Sequence, residues 1–250
     1  DLSRRKTWRA WSQIVLLLCV VAQLYTGLLA NGFVLFDDYS KVIENPVVTG
    51  YGSATMDERL QTPGQGYVIP VTVAAWAALY SLGDGRAWPF HLFSLLLHLC
   101  VAGLLYGFLR RWSPDWAWLA AGIFALHPIV VEPVAWVTGL KDLLAGVFAL
   151  GATWLFVAGV KRGEAGRSRV AGALLLFVLA AFSKPVTVLL PGAWLAWLWA
   201  RQRAGEVAER RTWWTAGVAL AVGFGLGLLS WAGHDTLTTE PGASRSLSLT

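Results

Sequence analysis

The chain has 250 residues, of which 56% are hydrophobic and 14% charged, with 15 tryptophans and a formal net charge of +5. Soluble domains carry charged residues at about a quarter of the total, so this composition excludes a water-soluble globular domain. The apolar runs approach the ~20 residues that cross a bilayer as helix and lack the alternation of a barrel strand, which makes the fold class an all-α integral membrane protein.

The first apolar run, Ser12 to Ala30, follows Arg4, Arg5, Lys6 and Arg9 and reads as an uncleaved anchor, with a cut after Ala30 left open. Cys19 lies inside it and Cys100 inside a later run, so both read as small buried hydrophobes with no disulfide framework. A long outer loop, 31–89, comes next and begins with "FVLFDDYSKVIENP", Phe33 to Pro46. Asp37 and Asp38 stand there at the end of a crossing, where an unpaired charge near hydrocarbon is expensive. They either stop the first helix from sliding or do chemistry.

Within that loop, Val68 to Leu82 is apolar but only about four turns long. It is expected to lie along the outer interface, with Tyr67, Trp76 and Tyr80 at headgroup level. Six further runs follow: Phe90 to Leu109, Trp116 to Val131, Leu143 to Val160, Val170 to Phe182, Val186 to Ala200 and Trp214 to Ala232. The expectation is therefore a bundle of about seven transmembrane helices in residues 1–232, with a polar extracytoplasmic tail in residues 233–250. His91 and His98 are seven residues apart on a single helix, a weak signal for a haem or chlorophyll ligand.

Lys and Arg in short loops stay on the cytoplasmic side, which tests the count of crossings. Seven crossings with an inner N-terminus put 14 of the 20 Lys and Arg residues inside and 6 outside. Counting Val68 to Leu82 as a crossing would instead place three strongly basic loops outside. Most carboxylates fall on the outer side, so the basic balance reports topology and implies no nucleic-acid partner.

Three stretches bring polar groups to the outer mouth of the bundle: "FDDY", "LHPIVVEPVAWVTGLKDLL" (Leu126 to Leu144) and "FSKPVTVLLP". Their prolines break helices and free backbone groups, which is tolerated at membrane depth where a cavity or neighbouring protein satisfies them. An outward-opening polar cavity is expected. Lys141 and Lys184 are cations retained on the side that orientation empties of them, and an anionic lipid phosphate would hold each by roughly 4 kcal/mol at 4 Å in an effective dielectric near 20. The alternatives stay open: Glu132 and Asp142 serve equally as structural ties, His127 as a helix-end hydrogen bonder, and Lys184 as a snorkelling side chain.

The order of "FDDY…I.NP", "FHLFSLLLHL", "FALHPIVVEPVAWVTGLKDLLAGVF" and "FSKPVTVLLP" resembles the transmembrane and tetratricopeptide-repeat containing O-mannosyltransferases and their bacterial relatives, within the GT-C glycosyltransferase superfamily. The resemblance runs from about Ser12 to Ala232. It implies a GT-C-like module of seven crossings with a cytoplasmic N-terminus, here in a bacterial inner membrane, and a site on the periplasmic face. It implies a polyprenyl-phosphate-linked sugar as donor, transfer with inversion, and a hydroxyl acceptor on protein Ser or Thr. An acidic residue of the first loop is then the base: Asp37 by its place in the motif, with Asp38 assisting. Both are taken to lie on an extended segment, where neighbouring side chains diverge and only one reaches the acceptor.

Lys184 and Lys141 are the candidates for the lipid phosphate, His127 is a third donor, and Glu132 and Asp142 orient them. No metal is assigned to these carboxylates, and a divalent requirement stays open. Departures are Leu140, where many relatives carry arginine, and Pro185, where many carry an acidic residue. The relatives also continue into more crossings and tetratricopeptide repeats, and this chain has no 34-residue repeat. The polar tail reads as the start of a missing C-terminal region. The competing reading is a catalytically degenerate subunit whose oily faces pack against partner membrane subunits.

Overall fold

The computed structural model describes residues 2–50, 52–55 and 68–238, and every regular element among them is helical. The chain opens with α1 (Leu2–Tyr25), which tightens into a 3₁₀ turn over Thr26–Ala30. A wide helical turn, Tyr39–Ile43, and a short α2 (Pro46–Thr49) follow, the latter capped by Asn45, whose side chain accepts from the Val47 N–H at 2.9 Å. Then come α3 (Pro70–Leu82), α4 (Trp88–Leu109) and α5 (Ala117–Leu126). The remaining elements are α6 (Val131–Ala135), α7 (Leu140–Val160), α8 (Arg167–Ser183), α9 (Leu190–Arg203) and α10 (Arg210–Thr238).

Prolines set several of these starts. Pro46, Pro70, Pro89 and Pro191 each sit in the first turn of a helix, where the missing N–H is no loss and the fixed φ suits the helix. Pro128 and Pro185 do more, because each forces the residue before it out of helical geometry. His127 takes φ −69°, ψ 136° and Lys184 takes φ −152°, ψ 121°, and both open 3₁₀ turns, Pro128–Val130 and Pro185–Leu189. The two breaks shape the candidate site described below.

Among the described residues, four helical stretches are long and apolar enough to cross a membrane: Ala10–Ala30, Trp88–Leu109, Val137–Val160 and Gly163–Ser183. Ala117–Leu126 and Pro128–Ala135 together form a fifth if a 54° bend is allowed within one span. The runs expected at Val186 to Ala200 and Trp214 to Ala232 are also helical, as the Pro185–Leu189 turn with α9 and as α10. α10 continues past Ala232 to Thr238, and residues 239–250 lie outside the described residues.

Burial follows three clusters. α1, α4 and α5 meet through Leu17, Val21, Leu95, Ala102, Ala121 and Ala125, with small residues allowing close helix approach. α7 to α10 meet around Phe156, Phe177, Trp194 and Leu198, with Phe156 and Trp194 stacked at 4.4 Å and 9°. The third cluster joins the first loop to the bundle: Val42, Val48, Ile69 and Val73 pack with Phe90, Val137 and Leu140. Around these, Leu16, Leu24, Leu96, Ile123, Leu175 and Phe224 turn outward. Such a girdle would be costly in water and is the expected surface toward lipid.

Two sequence expectations change here. Trp76 is fully buried and its indole N–H has no hydrogen-bond partner among the described residues, so α3 is seated in the third cluster and does not lay this tryptophan at a headgroup surface. Tyr67, expected beside it, lies outside the described residues. Cys19 and Cys100 are exposed on helix surfaces, where a small apolar thiol suits a lipid-facing position as well as a buried one.

Candidate active site

Asp37 and Asp38 stand in helical geometry, Asp38 at φ −64° and ψ −36°, and not in the extended segment the sequence led us to expect. Successive side chains still diverge on a helix, and the two acids part accordingly. Asp38 is fully buried, and its two oxygens accept from the Val34 N–H at 3.0 Å and the Thr138 N–H at 3.1 Å. The Thr138 hydroxyl also bears on this carboxylate without reaching hydrogen-bond geometry. Burial pushes the Asp38 carboxyl above the usual carboxylate range, and the two N–H donors pull against that shift.

Asp37 keeps 27% of its side chain exposed and holds the Lys41 ammonium at 2.7 Å, one turn away. The same helical turn therefore buries one acid and leaves the other reachable. Lys41 was not singled out from sequence, although the i,i+4 spacing from Asp37 was there to be read.

The second half of the site comes from the broken hairpin between α5 and α7. Gly139 lets it fold tightly, since a Cβ there would stand 2.9 Å from both Cα and O of Pro133. Directly after this turn, Lys141 and Asp142 open α7. Opposite them, Lys184 leaves the end of α8, where α3 fixes the backbone: the buried Thr72 hydroxyl donates to the Ser183 carbonyl at 2.9 Å. Lys184 and Asp142 form an ion pair, each side chain about one-third exposed.

Glu132, Trp136, Lys141, Asp142 and Lys184 line one cavity of about 230 Å³. The charges of Asp37, Lys41, Asp142 and Lys184 all bear on the Lys141 ammonium, so the first-loop acid and the later lysines share one electrostatic neighbourhood. Trp136 adds an indole N–H with no hydrogen-bond partner among the described residues. A buried, unpaired donor beside two ammonium groups suits an anionic or oxygen-rich ligand. Nothing in a lone tryptophan among 15 pointed to this one.

His127 is elsewhere. Its Nδ1 accepts from the Ile129 N–H at 3.1 Å, and its ring lines an apolar groove of about 600 Å³ between α1 and α5 with Leu16, Val20, Leu119 and Ile123. His98 meets the Ala125 carbonyl through Nε2 at 3.0 Å. His91 is 2% exposed beside the backbone of Asn31 and Gly32, close to Asp38 but without a well-formed hydrogen bond. Both histidines thus face protein. Among the described residues no three His, Cys, Asp or Glu side chains gather closely enough to hold a metal ion.

Comparison with known proteins bears on this arrangement. The chain is 38% identical over 136 residues to Protein O-mannosyl-transferase Tmtc2 of Drosophila melanogaster, a match covering 50% of this chain and 14% of that protein. It is 30% identical over 155 residues to Protein O-mannosyl-transferase TMTC3 of Mus musculus, covering 57% of this chain and 16% of the relative. A match to Protein O-mannosyl-transferase TMTC2 of Homo sapiens is 34% identical over 83 residues, covering 32% of this chain and 10% of the relative. The chain therefore spans about one-seventh of the length of the first two relatives. No protein-family profile matches the chain, and no solved structure matches it.

Proposed function

We propose that the chain is the membrane part of a glycosyltransferase that moves a sugar from a polyprenyl-phosphate carrier to a Ser or Thr hydroxyl of a protein, on the extracytoplasmic face. The observation that carries this reading is that Lys141 and Lys184, from distant parts of the chain, line one cavity while the Asp37 charge of the first loop bears on Lys141. The similarity to proteins named O-mannosyl-transferases supports it and makes mannose the first sugar to test.

In this reading the acceptor hydroxyl oxygen attacks the anomeric carbon as its proton passes to the Asp37 carboxylate. The bond from that carbon to the phosphate oxygen breaks, and the electron pair leaves on the lipid phosphate. Lys141 and Lys184 face the developing negative charge, with the Trp136 N–H as a neutral donor. Lys41 orients Asp37 through its ion pair, and Asp142 holds Lys184 in the cavity. Asp38 acts by position: it ties the Val34 turn to Thr138 and so sets Asp37 against the hairpin. His127 is left out, because its ring lines the groove between α1 and α5 and not the cavity of Lys141 and Lys184.

The test is transfer of mannose from a polyprenyl-phosphate donor to a Ser/Thr peptide by the purified protein. Asp37→Asn is expected to lower the rate by roughly 10² to 10⁴, the usual worth of a positioned base, with the unfolding temperature unchanged. Transfer at the unmodified rate by this variant removes Asp37 as base.

A further inference from the structure

Two cavities meet at the basic ends of α8 and α10. One, of about 470 Å³, is an apolar groove walled by Phe177 and Val178 on one side and by Trp214, Val218 and Val222 on the other. The second, of about 180 Å³, lies under the turn before α8 and is lined by polar groups including Arg167, Glu209 and Thr212. Leu174, Arg211 and Thr215 line both, so the two form one space, greasy along its length and polar at one end.

The groove is open because α10 packs on α9 and on the Pro185–Leu189 turn and only lightly on α8. Trp214, Val218 and Val222 are consequently 63%, 56% and 48% exposed. From Arg211 to Val222 the wall rises by about 16 Å at 1.5 Å per residue, which is close to half of a hydrocarbon core about 30 Å thick. The groove is thus one leaflet deep, the reach of a phospholipid tail and shorter than a polyprenyl chain would use.

Its polar end is cationic. Lys161, Arg162, Arg169 and Arg210 join Arg167 and Arg211 there, against Glu164 and Glu209. Arg167 is paired with Glu164, whereas Arg211, which lines both cavities, has no ion-pair partner among the described residues. Basic pockets between membrane helices recognise anionic headgroups, and an unpaired arginine at the end of a tail-sized groove is the chemistry such a headgroup needs. The candidate active site lies at the other end of α8, beside Lys184, so the two sites are separate.

We propose that this groove holds one anionic phospholipid, its phosphate against Arg211 and an acyl chain between α8 and α10. The check is native mass spectrometry of the delipidated protein after adding back phosphatidylglycerol, phosphatidylcholine of the same chains, or a polyprenyl phosphate. One phosphatidylglycerol is expected to be retained in preference to phosphatidylcholine. Arg211→Gln should cut that preference by about fivefold, the factor one basic residue contributes at an anionic surface. Val218→Trp, at an exposed position, should block the groove and reduce retention of both phospholipids. Equal retention of the two by the unmodified protein, an undiminished preference in Arg211→Gln, or undiminished retention in Val218→Trp overturns the proposal. Displacement of phosphatidylglycerol by polyprenyl phosphate at Arg211 overturns it too, since the groove would then belong to the donor lipid. Sugar transfer is not the readout, so a failure of the enzyme assignment would leave this result standing.

Discussion

Asp38 is fully buried, and each of its oxygens takes one backbone N–H, from Val34 and from Thr138. An asparagine there offers only one acceptor oxygen and turns an amide NH₂ toward the other donor. Asp38→Asn is therefore expected to destabilise the fold by about 1–3 kcal/mol, the cost of an unsatisfied buried donor, while Asp37→Asn at a partly exposed position leaves stability within about 0.5 kcal/mol. Thermal unfolding of the two variants in detergent separates them, and equal shifts would remove the distinction between the two acids. The pH dependence has a definite sign. Because burial raises the Asp38 carboxyl in the folded state, the folded protein keeps a proton that the unfolded chain has released above about 3.9. The contribution of this group is complete below that value and is lost as pH rises through the raised one, so stability falls over that window and levels off above it. The Asp38→Asn variant should lack this falling limb; a limb that persists unchanged in it assigns the titration to another group.

At the scale of elements, the broken hairpin from His127 to Lys141 determines whether the site exists. Pro128 stops α5, and Gly139 brings the chain back against Pro133 so closely that a methyl group would stand 2.9 Å from backbone atoms. Gly139→Ala must push these two backbones apart, at about 1–3 kcal/mol for an overpacked contact, and the displaced turn carries Thr138 and Lys141 with it. The expected outcome is a lower unfolding temperature together with reduced transfer; an unaltered unfolding temperature would show that the turn relaxes freely. Much of this was legible in the sequence, for identifiable reasons. Charges are rare at a membrane mouth, so Asp37, Lys141 and Lys184 stood out, and X-Pro steps marked where α5 and α8 end. The division of labour between Asp37 and Asp38 was not legible, because it depends on Thr138, distant in the chain but adjacent in space. The burial of α3 was hidden for a like reason: Val73 and Trp76 look interfacial until Phe90, Val137 and Leu140 are brought over them.

For the whole molecule, length decides which helices are able to cross the bilayer. α9 has 14 residues and falls short alone at about 21 Å, but the five-residue 3₁₀ turn before it adds about 10 Å, bringing the pair to the thickness of a hydrocarbon core near 30 Å. α10, with 29 residues, is longer than the crossing requires. If both cross, the segment between them, containing Ala204, Gly205 and Glu206, faces the same side as Arg110 and Arg111, and the basic turns before α8 and before α10 share that side. Gly163, Arg167, Glu209 and Arg211 line one cavity, so the segment before α10 lies at the end of α8 opposite Lys184. The seven-crossing arrangement keeps the basic loops together, as the distribution of Lys and Arg favours. It predicts that a cysteine at the exposed position 204, in a background with Cys19 and Cys100 replaced, reacts with a membrane-impermeant thiol reagent only from the cytoplasmic side. A cysteine replacing the exposed Ser53 of the first loop should react only from the opposite side. Labelling of both positions from one side would overturn the seven-crossing arrangement and the placing of the turn before α10 beside the turn before α8.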